Sequence, residues 1–151
     1  MNIRNRLIRR YQQTINASPE RVFPLLCPVR EREWLPGWAC RMVYSQSGLA
    51  EPRAVFTTTG ELGETVWLVS EHAAPRRVAF ARFQPEGLAV WCEIELAPLD
   101  DGRSCVSIVY TYTAVNDQGE TALAALTEEA WQKMQTYWES SMNDWLRANP
   151  E

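Results

Sequence analysis

The last third of the chain carries the pattern that most restricts its fold. From Asn116 to about Ala148, apolar residues recur at helical spacing. At 100° per residue, Leu123, Leu126, Ala130, Trp131, Met134, Tyr137, Trp138, Met142 and Trp145 fall within an arc of roughly 160°. Glu128, Glu129, Gln132, Lys133, Gln135, Glu139 and Asn143 occupy the opposite arc. The spacing predicts one long helix, roughly 45 Å at 1.5 Å per residue, with a broad face that another layer must cover.

The preceding residues supply that layer. From Ala39 to Ala114 the pattern has period two and predicts strands at 39–46, 53–60, 64–72, 76–84, 87–97 and 104–114. Ser47-Gly48, Leu62-Gly63, Ala74-Pro75, Pro85-Glu86-Gly87 and Asp100-Asp101-Gly102 mark the turns. Connections this short make sequential antiparallel neighbours. In the last strand Val106, Ile108, Tyr110 and Tyr112 share one face. A further strand is predicted over Leu7–Ala17. Ser18-Pro19-Glu20 then starts a short helix that Pro28 stops, and a second short helix covers Val29–Trp34 before Pro36-Gly37. The expected fold is α+β: a seven-stranded curved antiparallel sheet around a long C-terminal helix, with two short helices after the first strand. A bent sheet gripping a rod does not close tightly along its length, and the gap beneath the helix is where a ligand pocket is expected.

At 151 residues the chain is expected to form one domain. A formal charge of −4 argues against a general nucleic-acid binder, which needs a basic footprint. Arg4, Arg6, Arg9 and Arg10 are read as a solvated strand edge rather than a transit peptide. No apolar run approaches the roughly 18–20 residues of a membrane span. A cytoplasmic location is the default expectation, and a homodimer is left open. Cys27, Cys40, Cys92 and Cys105 are widely separated and read as small apolar residues. One histidine, His72, cannot build a multi-histidine metal site and is expected on the surface. No cofactor or metal is expected.

The segments "YQQTINASPERVFPLL", "EREWLPGW", "ETVWLVSEHAAPRRVAF" and "YTYTA", followed by the Trp-rich closing helix, resemble the START-like helix-grip superfamily (SRPBCC). The polyketide cyclase/dehydrase and lipid-transport type is the nearest in pattern. The resemblance spans about Leu7 to Leu146 and implies the same fold. The superfamily includes lipid carriers, hormone receptors, cyclases and chaperone activators, so it does not decide an activity. The plant pollen-allergen branch has a glycine-rich loop between its second and third strands. "SQSGLAEPR" has only Gly48 there, so no phosphate or cytokinin role is carried over.

Trp34 and Trp38, bracketing Leu-Pro-Gly, are expected between the short helices and the long one, as core or as the cavity mouth with an indole N–H offered to a ligand. Phe56, Trp67, Phe80, Arg82, Tyr110, Tyr112, Met134 and Trp138 complete the candidate ligand-binding set, with Trp91 weighed beside them. The inward face of the middle strands is left open, since both faces carry apolar groups. Glu93 most simply faces water. If it and Arg82 point inward, they form the candidate acid/base pair of a cyclase. The expected partner is a hydrophobic or aromatic small molecule, lipid- or polyketide-like. A cyclase/aromatase-type enzyme in the same cavity and a protein-interaction module are the alternatives.

Overall fold

The structure is a computed structural model and describes residues 3–150. The chain runs β1 (Arg6–Ile15), α1 (Pro19–Val22), a 3-10 turn (Phe23–Leu26), α2 (Pro28–Trp34), β2 (Arg41–Tyr44), β3 (Val55–Gly60), β4 (Gly63–Ala73), β5 (Arg77–Gln84), β6 (Leu88–Pro98), β7 (Ser104–Ala114), α3 (Asp117–Ala125) and α4 (Glu128–Ala148). The strands form one antiparallel sheet in the order β1-β7-β6-β5-β4-β3-β2. Strands β2 to β7 are a meander, and β1 closes on β7 at the far edge. The short helices carry the chain from one edge strand to the other. Register shifts in β2–β3 and β4–β5 are the irregularities that let such a sheet bend.

Because side chains alternate along a strand, the register decides which residues meet. One transverse row crosses all seven strands: Leu7, Tyr112, Val90, Arg82, Trp67, Phe56 and Met42. A second row, Arg9, Tyr110, Cys92, Phe80 and Val69, lies beside it on the same concave face. Phe56, Trp67, Phe80 and Arg82 therefore share the inward side that the sequence pattern left open. The first strand is shorter at its end than expected, and β2 is only four residues long, its flanks being drawn into loops.

The expectation of one helix from 116 to 148 is corrected. It breaks at Leu126 and Thr127. Asn116 caps α3 by accepting from the Gly119 N–H, and the Thr127 hydroxyl, on extended backbone, accepts from the Ala130 N–H at 3.1 Å. A threonine followed by two glutamates is a helix start, and here it restarts one.

The buried stripe of α4 is also rotated from the expected arc. Trp131, Gln135, Met142 and Leu146 are buried, whereas Met134 and Tyr137 are 46% and 52% exposed on the flank. Gln135, Glu139 and Asn143 were expected toward water. They reach β1 instead. Glu139 accepts the Thr14 N–H (2.7 Å), Asn143 accepts the Asn16 N–H (2.8 Å) and donates to the Thr14 carbonyl (3.0 Å), and Gln13 donates to Gln135 (3.3 Å). An edge strand presents unpaired main-chain groups. Here side chains of α4 satisfy them, so polar bonds hold one side of the grip and apolar packing the other.

Candidate functional site

The site begins with the sequence around α2. Pro28 occupies the first turn of the helix, and Gly37 adopts φ +83, a left-handed conformation suited to glycine, in the sharp turn that ends it. The turn sends its two tryptophans to different tasks. Trp34 is buried, its indole N–H donates to the Leu25 carbonyl (2.8 Å), and its ring meets Trp138 edge-on at 4.7 Å. Trp38 donates its N–H to the Pro28 carbonyl (2.8 Å) and sets its ring edge-on toward Trp67 at 6.0 Å. Neither indole N–H is left to a ligand, which corrects that role. Trp34 is core, and Trp38 is a wall.

The wall belongs to a cavity of about 370 Å³ between the concave sheet, α2 with its following turn, and α4. Of the ten candidate residues, Trp38, Phe56, Trp67, Phe80, Arg82, Tyr110, Met134 and Trp138 line it. Trp34 and Tyr112 do not. Tyr112 shares the transverse row of Arg82 and Trp67 but lies toward β1, where its hydroxyl accepts the Trp131 indole N–H at 2.9 Å. The sheet side is an aromatic floor. Phe56 stacks on Trp67 (5.2 Å, 16° between planes), and Phe80 stands edge-on to both. These offset and edge contacts are the favoured aromatic geometries, and they hold the floor stiff.

Besides the tyrosine hydroxyls, three polar side chains interrupt this lining, and sequence reasoning missed two of them. Arg82 lies at the centre of the transverse row. Its Nε donates to Gln84 Oε1 (2.8 Å), and its guanidinium carbon lies 5.0 Å from the Trp67 ring centre and 5.2 Å from that of Tyr110. Glu31 comes from α2, and no hydrogen-bond or ion-pair partner reaches its carboxyl among the described residues. Burial pushes that carboxyl well above the ordinary glutamate range. Gln135 comes from α4. Glu31 had a legible signal: it precedes Trp34 by three residues, so it shares the buried side of a short helix. Gln135 was hidden by its polarity. Burial also raises the Tyr110 phenol well above its usual value, so its hydroxyl remains a donor.

A carboxyl whose folded-state pKa is raised favours folding below its unfolded value and loses that contribution as pH rises through the folded value. The unfolded reference is 4.5. Glu31→Gln, neutral at every pH, is therefore expected to be more stable than the parent at neutral and higher pH. The two melting curves should converge below about pH 4.5. A melting-temperature difference that stays constant from pH 4 to 9 would show an ordinary, solvated carboxylate instead.

Other candidates take structural places. Glu93 is on the outer face, where it receives Arg77 at 2.9 Å, and Arg77 also binds Glu71 and Glu95. The conditional Glu93–Arg82 acid/base pair does not form, because Cys92 and Ile94 take the inward positions on either side of Glu93. Trp91 shares that outer face and is 47% exposed. His72 is half-buried against Phe23 rather than on the surface, the β4 register shift having turned it inward. Cys92 is buried, and the other three cysteines are partly so. No group of three metal-binding side chains occurs among the described residues. The loop after β2 is closed on itself: Glu51 accepts the main-chain N–H groups of Gln46 and Ser47 and both nearby serine hydroxyls, which holds its carboxyl down at about 2. Its amides are thus already taken by an internal anion.

No protein-family model matches the sequence, and no curated protein matches it. Solved structures do match in shape. Norcoclaurine synthase from Thalictrum flavum, solved as a point mutant with a transition-state analogue, has a TM-score of 0.72 at 11% identity, covering 99% of this chain and 100% of that one. The Mll3558 protein from Rhizobium loti gives 0.68 at 13% identity, covering 94% and 98%. Ara h 8.0201 gives 0.66 at 16% identity, covering 96% and 100%. At these identities the likeness shows a shared helix-grip fold and nothing finer. No helix among the described residues is long and apolar enough to cross a membrane.

Proposed function

We propose that the protein binds an apolar or aromatic small molecule, lipid- or polyketide-like, in the cavity between the sheet and α4. One observation carries this reading: about 370 Å³ of space remains inside the grip, floored by ring faces. That size falls within the range of small-molecule sites. Binding would come from burying apolar surface, with orientation from Arg82, Tyr110 and Gln135. The solved relatives in shape are compatible with such a role, since one of them was solved with a transition-state analogue bound.

The test is uptake of a neutral fluorescent hydrophobic probe. Tyr110→Ala with Trp138→Ala removes two ring faces from the wall, and the expected result is weaker binding of a two-ring probe by about tenfold or more. An unchanged affinity would place the probe elsewhere.

A second reading is catalysis of the cyclase/aromatase kind in the same space. It is favoured by one feature: the Glu31 carboxyl, raised by burial, lies on the same cavity as the Arg82 cation and the Tyr110 hydroxyl. That is the pattern of a proton donor or acceptor beside a group that stabilises negative charge. An interaction module would expect an exposed apolar patch and little interior space. The outer sheet does expose Val66, Leu68, Phe83 and Trp91 together, but the interior is not filled.

A further inference from the structure

We infer that the guest is an acid: an apolar or aromatic molecule with one carboxylate, seated with that carboxylate on the terminal nitrogens of Arg82. The inference rests on the cavity being the binding site and adds the chemical class of what enters it.

Strand β5 carries two arginines on opposite faces. Arg77, outside, is met by three carboxylates, those of Glu71, Glu93 and Glu95. Arg82, inside, makes no ion pair with any carboxylate among the described residues. Its Nε is held by Gln84, which passes the contact on to Glu86 at 3.4 Å. Its guanidinium carbon lies over the rings of Trp67, Tyr110 and Tyr112, 5.0, 5.2 and 5.9 Å from their centres. A guanidinium has five N–H groups and is charged at any working pH. Gln84 takes the Nε donor, and the Tyr112 hydroxyl is a second, neutral hydrogen-bond partner. The outer edge, with the terminal N–H groups, has no carboxylate to meet.

Glu31 does not cancel this charge. It forms no ion pair with Arg82, and burial favours its neutral form. The cavity therefore presents one cation among ring faces, beside the Tyr110 hydroxyl. An enclosed charge without a counter-charge is costly. A guest carboxylate relieves that cost and can accept two parallel N–H bonds from the fork. The same rings exclude the opposite class. A trio of aromatic faces could hold a quaternary ammonium, but here the trio already holds the arginine, and a second cation would be repelled.

The experiment is a matched series of probes on the intact protein, titrated by calorimetry: 1-naphthaleneacetate, its methyl ester and 2-(1-naphthyl)ethylamine, with dodecanoate and dodecanol as the alkyl counterpart. The expected order is acid above neutral by about tenfold or more, the gain of a charge-assisted bidentate contact, with the amine weakest. The aryl and alkyl arms report which hydrophobic body fits. Arg82→Met should remove the acid's advantage over the ester, and Arg82→Lys should restore part of it. The inference is overturned if ester or amine binds as tightly as the acid, or if Arg82→Met leaves the acid unchanged. If neutral probes bind and the acid gains nothing, the cavity reading stands and only the acid is wrong. If no member of the series binds, both fail. The parent protein alone decides between acid and ester, so the outcome does not depend on the variants folding.

Discussion

Replacing Trp131 by alanine is expected to destabilise the protein by about 3–5 kcal/mol, the range for deleting a fully enclosed aromatic ring. Trp131 is 0% exposed and is the largest buried side chain of α4. Its ring is met edge-on by Tyr11 at 6.3 Å and by Tyr110 at 5.7 Å, and its N–H is the partner of the Tyr112 hydroxyl. It therefore joins the helix to β1 and β7 at once. For a chain of this size the loss corresponds to a fall in melting temperature of roughly 6–20 °C. Trp131→Phe keeps most of the ring and removes the donor, so a smaller cost of about 1–3 kcal/mol is expected. Denaturant unfolding of the two variants checks the order. A cost below about 1 kcal/mol for the alanine variant would mean that α4 is not anchored at this point.

Phe56→Ala is expected to cost a similar amount, about 3–5 kcal/mol, and to act on the cavity in the opposite sense. Phe56 is 1% exposed, stacks on Trp67 and braces Phe80. Removing it takes the end out of the aromatic floor and lengthens the space above the sheet. Small two-ring probes should lose affinity while four-ring probes gain relative to them. Unfolding and a paired titration measure both halves. Lost stability with an unchanged size ranking would place Phe56 in the core but not in the binding surface.

The order of elements was legible in the sequence because it depends on period and punctuation. Period two over 39–114 and the Pro and Gly turns were enough to place six of the seven strands, and the β-branched and aromatic residues of Leu7–Ala17 placed the other. What the pattern could not give was the facing of strands with apolar groups on both sides. Trp67 and Leu68, or Phe80 and Ala81, alternate without contrast, and only pairing register separates them. Arg82 was named in the candidate set and as the conditional partner of Glu93, and the structure adds what surrounds it. The helix phase failed for a related reason. An arc drawn from hydrophobicity puts Met134 and Tyr137 inside and Gln135 outside, but α4 packs against an edge strand whose free main-chain groups demand polar partners. Glu31 escaped notice because alternating charges in "EREW" look like a solvated face, although its spacing from Trp34 points inward.

The central claim is that a guest lies inside the grip rather than on the exposed outer sheet. The seven tryptophans make it directly measurable, since each indole N–H gives its own resonance in a nitrogen–proton correlation spectrum. On titration with 1-naphthaleneacetate, Trp38 and Trp67, which wall and floor the cavity, are predicted to shift and saturate together at one equivalent, with Trp91 unmoved. Movement of Trp91 while Trp38 and Trp67 stay fixed would contradict the account.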